Sequence, residues 1–146
     1  MEAGERRGIV KDVANKQGCP CGRKNNKAQL LAYGDCCGRY IDHWDAQPAP
    51  DAQALMRSRY TAFVRENAAY LLATWHQSQR PAELDFDPAC KWLGLDVKQF
   101  QPTGEESAQV EFVARYRVAG RAVRLHERSR FVREGGRWYY VDGEQF

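Results

Sequence analysis

Residues 108–118 read AQVEFVARYRV and residues 122–133 read AVRLHERSRFVR. In the first stretch Ala108, Val110, Phe112, Ala114, Tyr116 and Val118 fall on one face, with Gln109, Glu111, Arg115 and Arg117 on the other. A period of two is the signature of a half-buried strand, because successive side chains point to opposite faces. The second stretch repeats the pattern. Val123, Leu125, Glu127, Ser129 and Phe131 share one face, and Arg124, His126, Arg128 and Arg130 share the other.

Working downstream, Glu134-Gly135-Gly136-Arg137 reads as a hairpin turn, and WYYV (138–141) returns as the last strand. Trp138, Tyr139 and Tyr140 are expected in the core. Upstream, a strand near 93–100 completes four antiparallel strands, preceded by a short helix around Cys90 and Trp92. Further upstream the period changes. QPAP (47–50) is a rigid linker and Asp51 a helix N-cap. Ala52, Leu55, Met56, Tyr60, Phe63 and Val64 then recur at helical spacing, which predicts an amphipathic helix to about Glu66. Asn67 caps a second, shorter helix, AAYLLATW (68–75), which carries Trp75 and His76 to its end. Helices followed by strands predict an α+β domain, with helices on one face of a curved antiparallel sheet.

Ahead of this body, four of the five cysteines, Cys19, Cys21, Cys36 and Cys37, crowd into one short segment. Bridges within C-x-C or C-C pairs would strain disulfide geometry, and a reducing compartment disfavours them. Four thiolates around one Zn²⁺ make a closed, tetrahedral, structural site. The spacing demands sharp bends, which Pro20, Gly22, Gly34 and Gly38 supply, and adjacent Cys36 and Cys37 must sit in a turn or at a helix start. Residues 19–42 offer only Leu30, Leu31, Tyr33, Tyr40 and Ile41 as sizeable apolar groups. A structural zinc contributes roughly 10–16 kcal/mol of apparent binding free energy where so thin a core cannot offset chain entropy. His43 is a spare ligand that four thiolates make unnecessary.

The strings CPCG and CCGRYI resemble a SEC-C motif, the small zinc knuckle of the bacterial preprotein translocase motor. LMRSRYTAFV (55–64), YLLATWH (70–76) and HERSRFVREGGRWYYVDG (126–143) extend the likeness. Together they resemble the YchJ family of small bacterial proteins, over about residues 19–143. The resemblance implies one structural zinc per chain on Cys19, Cys21, Cys36 and Cys37, and a conical NTF2-like fold enclosing a pocket. The expected organisation is a flexible tail (1–18), a zinc knuckle (19–46) and an NTF2-like domain (47–146). The resemblance implies no defined activity.

Within the cone, Glu127 is the most informative side chain, because a carboxylate on an apolar strand face must be paired or protonated. Arg57 and Arg59 of the first helix are its expected partners, with Tyr60 and Trp75 nearby. As a pocket acid with a raised pKa it would instead serve as a general base, paired with His76 across the pocket mouth.

With 22 Lys+Arg against 19 Asp+Glu, the net charge is +3. Residues 1–44 hold eight basic and five acidic residues, so the remainder is neutral, with 14 of each. Four thiolates and one Zn²⁺ would reduce the excess to about +1. This argues against a nucleic-acid-binding domain. A mean hydropathy of -0.70 argues against a membrane span, which needs about 20 apolar residues. MEAGERRGIVKDVANKQG has no apolar signal region, and the cytoplasm is the expected compartment.

No nucleophile–base pair, phosphate loop or open metal site can be read from the sequence. The leading expectation is a non-enzymatic, zinc-stabilised binding module. It would contact a protein partner through the knuckle, as the SEC-C resemblance favours, or hold a small ligand in the cone. Two alternatives stand beside it. One is an enzyme using Glu127 and His76 on a small hydrophobic substrate; the other binds RNA through the basic tail and the Arg115, Arg117, Arg124, Arg128 and Arg130 face.

Overall fold

The computed structural model describes residues 15–146, so most of the tail expected over 1–18 lies outside the described residues. Its described end joins the knuckle, where the Gln17 carbonyl accepts from the Tyr33 amide at 2.7 Å. Three α-helices follow in order: α1 (Gly38–Ile41), α2 (Ala52–Val64) and α3 (Ala68–Ala73). Strands β1 (Cys90–Gly104), β2 (Ser107–Val118), β3 (Arg121–Glu134) and β4 (Arg137–Gln145) then form one antiparallel meander in the order β1-β2-β3-β4. Among the described residues no helix is long and apolar enough to cross a membrane.

Both expected helix caps are in place. The Asp51 carboxylate accepts from the Ala54 amide at 2.7 Å, and the Asn67 side-chain oxygen from the Tyr70 amide at 3.0 Å. Each satisfies an amide that helix geometry leaves without a partner. Helix α2 lies on the inner face of the sheet and buries Leu55, Met56 and Tyr60 against Val110, Phe112 and Phe131. Fully burying a side chain of this size contributes roughly 1.5–3 kcal/mol.

The β2–β3 register places Val110 opposite Ser129, Phe112 opposite Glu127 and Ala114 opposite Leu125. Glu127 therefore points to the α2 side, as the alternation predicts. Strand β1 departs from expectation: it begins at Cys90, and no helix forms around Cys90 and Trp92. Register shifts after Trp92 and Val97 leave Trp92, Leu95, Val97 and Phe100 facing the inner row of β2. Two bulges thus stretch the inward spacing to three, two and three, which imitates helical periodicity. On β4, Trp138 and Tyr140 join the core cluster, whereas Tyr139 alternates outward and meets the His76 ring.

The outer face of the sheet is not a free basic surface. Arg115 pairs with Asp96 at 2.9 Å, Arg128 with Glu111 at 3.2 Å, and Arg130 binds both Asp142 oxygens at 2.6 Å. His126 also bonds Glu111, at 2.9 Å. Cross-strand acids thus offset three of the five arginines expected to attract an acidic partner.

Candidate functional site

The C-P-C turn and the start of α1 converge beneath α2. Cys19 and Cys21 flank Pro20, and the Gly22 amide closes the turn onto the Cys19 carbonyl at 3.1 Å. The intervening residues form a small hairpin in which Lys24 bridges Leu30 and Asn25 caps the turn. Cys36 closes a 3₁₀ turn (Tyr33–Asp35) and Cys37 caps α1. Gly38 is required here, because a Cβ would lie 2.7 Å from the Tyr33 carbonyl oxygen.

All four thiols are at most 2% exposed, and their sulfurs lie within 4.8 Å of one another. Cys21 and Cys36 approach to 3.6 Å. A tetrahedral site with Zn–S bonds of about 2.3 Å requires sulfurs about 3.8 Å apart, so the cluster fits a tetrathiolate metal site. The protonation chemistry agrees. Hydrogen bonds from Cys21, Cys36 and Cys37 hold the Cys19 thiol down, while the bond to Cys19, those to Cys21 and Cys36, and burial drive Cys37 up. Four buried sulfurs this close cannot all ionise without a cation among them. His43 is exposed and outside the cluster.

Helix α2 forms the roof of this cluster. The Cys19 sulfur lies 3.7 Å from the Thr61 hydroxyl, and Arg57 Nη1 donates to the Cys21 carbonyl at 3.1 Å. The Arg65 guanidinium stacks 3.7 Å above the Tyr33 ring. Arg57 therefore faces the knuckle and not Glu127, a correction to its expected pairing. Helical geometry explains it: Arg57, Thr61 and Arg65 recur every four residues on one face. The junction is held as firmly, with Arg137 donating to the Trp44 and Asp45 carbonyls at 2.7 and 2.8 Å. Knuckle and sheet thus share one apolar cluster, from Cys19 through Leu55 to Trp138.

On the opposite side of α2 a cavity of about 280 Å³ lies between helix and sheet. Arg59, Tyr60, Trp75 and Glu127 all line it, together with Ser129 and Tyr140. Arg59 is 6% exposed. Its Nη1 donates to the Leu71 carbonyl and the Thr74 hydroxyl, both at 2.7 Å, at the C-terminal end of α3. The rings of Trp75 and Tyr140 stack on its guanidinium at 5.1 and 4.6 Å. Burial pulls Arg59 down to about 10 and pushes the Tyr60 and Tyr140 phenols up to about 12, so at neutral pH the arginine is a cation and both phenols are protonated.

Glu127 reaches neither expected arginine by an ion pair. Its carboxylate accepts from the Ser129 hydroxyl at 2.5 Å and fills the space above Gly143, where a Cβ would collide with it. His76 lies elsewhere. Its Nε2 meets the Glu134 carboxylate at 2.8 Å and its Nδ1 the Ser78 hydroxyl at 2.7 Å, so the expected His76–Glu127 pair is not assembled. Ser129, Thr74 and Gly143 are the site residues the sequence reading missed. Only Ser129 left a signal, since it shares the Glu127 face.

Comparison with known proteins settles the family. The family described as YchJ, middle NTF2-like domain, matches residues 51–143. The chain belongs to the YchJ family. YchJ relatives from bacteria are close in sequence. A protein from Polaromonas sp. described as a UPF0225 protein is 63% identical over 128 residues, spanning 87% of this chain and 92% of its own. A Bordetella pertussis relative of the same description is 53% identical, over 93% of this chain and 98% of its own. Two solved structures share the YchJ architecture. A SEC-C motif containing protein from Rhodopseudomonas palustris superposes with a TM-score of 0.75 at 31% identity, covering 89% of this chain and 99% of its own. Another, from Psychrobacter arcticus, gives 0.76 at 32% identity, covering 89% and 83%. Both contain the motif read from CPCG and CCGRYI, and both support the NTF2-like fold with an N-terminal cysteine cluster.

Proposed function

We propose that the protein is a non-enzymatic binding module, stabilised by one structural zinc, whose cone holds a small and mainly apolar ligand. The observation that carries this reading is the cavity, which combines aromatic walls with a few convergent polar groups. Zinc is the metal best suited to four thiolates, and a closed tetrathiolate shell supplies folding energy with no open position for chemistry. A protein partner at the knuckle would meet its outer hairpin, where Leu30 is half-exposed, because the four sulfurs face inward. The separation of His76 from Glu127 favours binding over acid–base catalysis.

The test has two arms on the full chain. Elemental analysis should find one zinc per chain, lost in Cys36→Ser. Indole at millimolar concentration should raise the melting temperature of the native chain and not that of Ala114→Leu, which narrows the cavity. Zinc-free purified protein, or a chain indifferent to indole, would refute the corresponding half.

A further inference from the structure

On the reading that the cavity holds a small ligand, we infer that it is built for a flat, uncharged aromatic molecule whose polar edge sets a hydrogen-bond acceptor beside a donor, as in a carboxamide or lactam. Two opposite charges line this cavity without touching. The Arg59 guanidinium makes its hydrogen bonds to neutral acceptors, the Leu71 carbonyl and the Thr74 hydroxyl. Glu127 takes its hydrogen bond from the neutral Ser129 hydroxyl. Glu127 acts on Arg59 across the cavity and favours the charged arginine, against the burial that disfavours it.

That balance selects the head group. An entering carboxylate is attracted by Arg59 and repelled by Glu127, and an entering ammonium meets the reverse. Either also loses its hydration in an apolar chamber. A neutral head avoids both costs. Its carbonyl accepts from Arg59 while its N–H donates to Glu127, and both bonds are charge-assisted. On the same wall, the indole N–H of Trp75 is buried and meets no acceptor among the described residues.

The walls select the body. Trp75 and Tyr140 stand edge to face at 5.3 Å, and Tyr60 and Trp92 at 5.6 Å. Flat rings pack well against such walls. The 280 Å³ holds about nine water-sized atoms at ~30 Å³ each, the size of a single substituted ring.

Three single-ring probes of similar size decide the matter by amide and indole NMR titration of the zinc-loaded full chain: benzamide, benzoate and benzylamine. Benzamide should bind most tightly and shift the Trp75 indole resonance, assigned with Trp75→Phe. Glu127→Gln leaves Arg59 uncompensated, so benzoate should then overtake benzamide, a change in their affinity ratio of roughly tenfold or more. Benzoate or benzylamine binding the native cavity best would overturn the head-group assignment and leave the binding reading standing. An unchanged ranking in Glu127→Gln would do the same. If none of the three moves a cavity resonance, the binding reading itself falls.

Discussion

Gly143 is the residue that lets Glu127 face inward. The two lie on neighbouring strands, and a Cβ at Gly143 would stand 2.5 Å from the Glu127 carboxylate. The register shift between β3 and β4 at Arg130/Phe131 sets Gly143 opposite Ser129 and on the inner face. Inner-face position and missing side chain together create the carboxylate's seat.

Gly143→Ala should therefore displace Glu127 and lower stability by about 1–3 kcal/mol, the usual cost of overpacking. Glu127→Ala should relieve most of that loss, with a coupling of roughly 0.5–3 kcal/mol in a double-mutant cycle. Chemical denaturation of the four proteins measures it. Additive effects would show that the carboxylate does not occupy this seat.

Arg57→Ala should weaken the metal site without removing a ligand. Its bond to the Cys21 carbonyl fixes the first thiol pair from outside the coordination shell. Losing a partner of that kind typically lowers metal affinity 10–100-fold. Competition with a chromophoric chelator gives the affinity, and a value equal to that of the native chain would contradict the role.

Acid should loosen the outer sheet face before the core. Hydrogen bonds from Arg130 and Arg115 hold the Asp142 and Asp96 carboxyls below their ordinary values, and those from His126 and Arg128 do the same for Glu111. For groups depressed in the folded state the stabilisation is present above the unfolded pKa, near 4, and is lost as pH falls through the folded values. Carboxyl NMR should show Asp142 titrating below a free aspartate. Asp142→Asn should flatten the acid limb of the stability curve, and an unaltered limb would count against this pair.

The strands 108–118 and 122–133 were legible because nothing interrupts their alternation, and Asp51 and Asn67 announced both helix starts. Strand β1 was not, since the bulges after Trp92 and Val97 convert an alternating pattern into a helical one. The orientation of Glu127 followed from counting by twos. Its partner did not: Ser129 sits two residues away, but the choice between it and an arginine depends on where α3 ends. That end draws Arg59 to Leu71 and Thr74. His76 and Glu134 meet across 58 positions of chain, a pairing that no local pattern encodes.

The thiol cluster precedes α2 and every strand in the chain, yet α2 is its roof. A ribosome delivers these parts in that order. If the four thiols hold a metal ion, the cluster can close on it while the sheet is still unsynthesised, and α2 then docks onto a finished surface. A chain made without that ion would instead offer α2 an unformed base. Metal supply during synthesis would then decide how many chains mature.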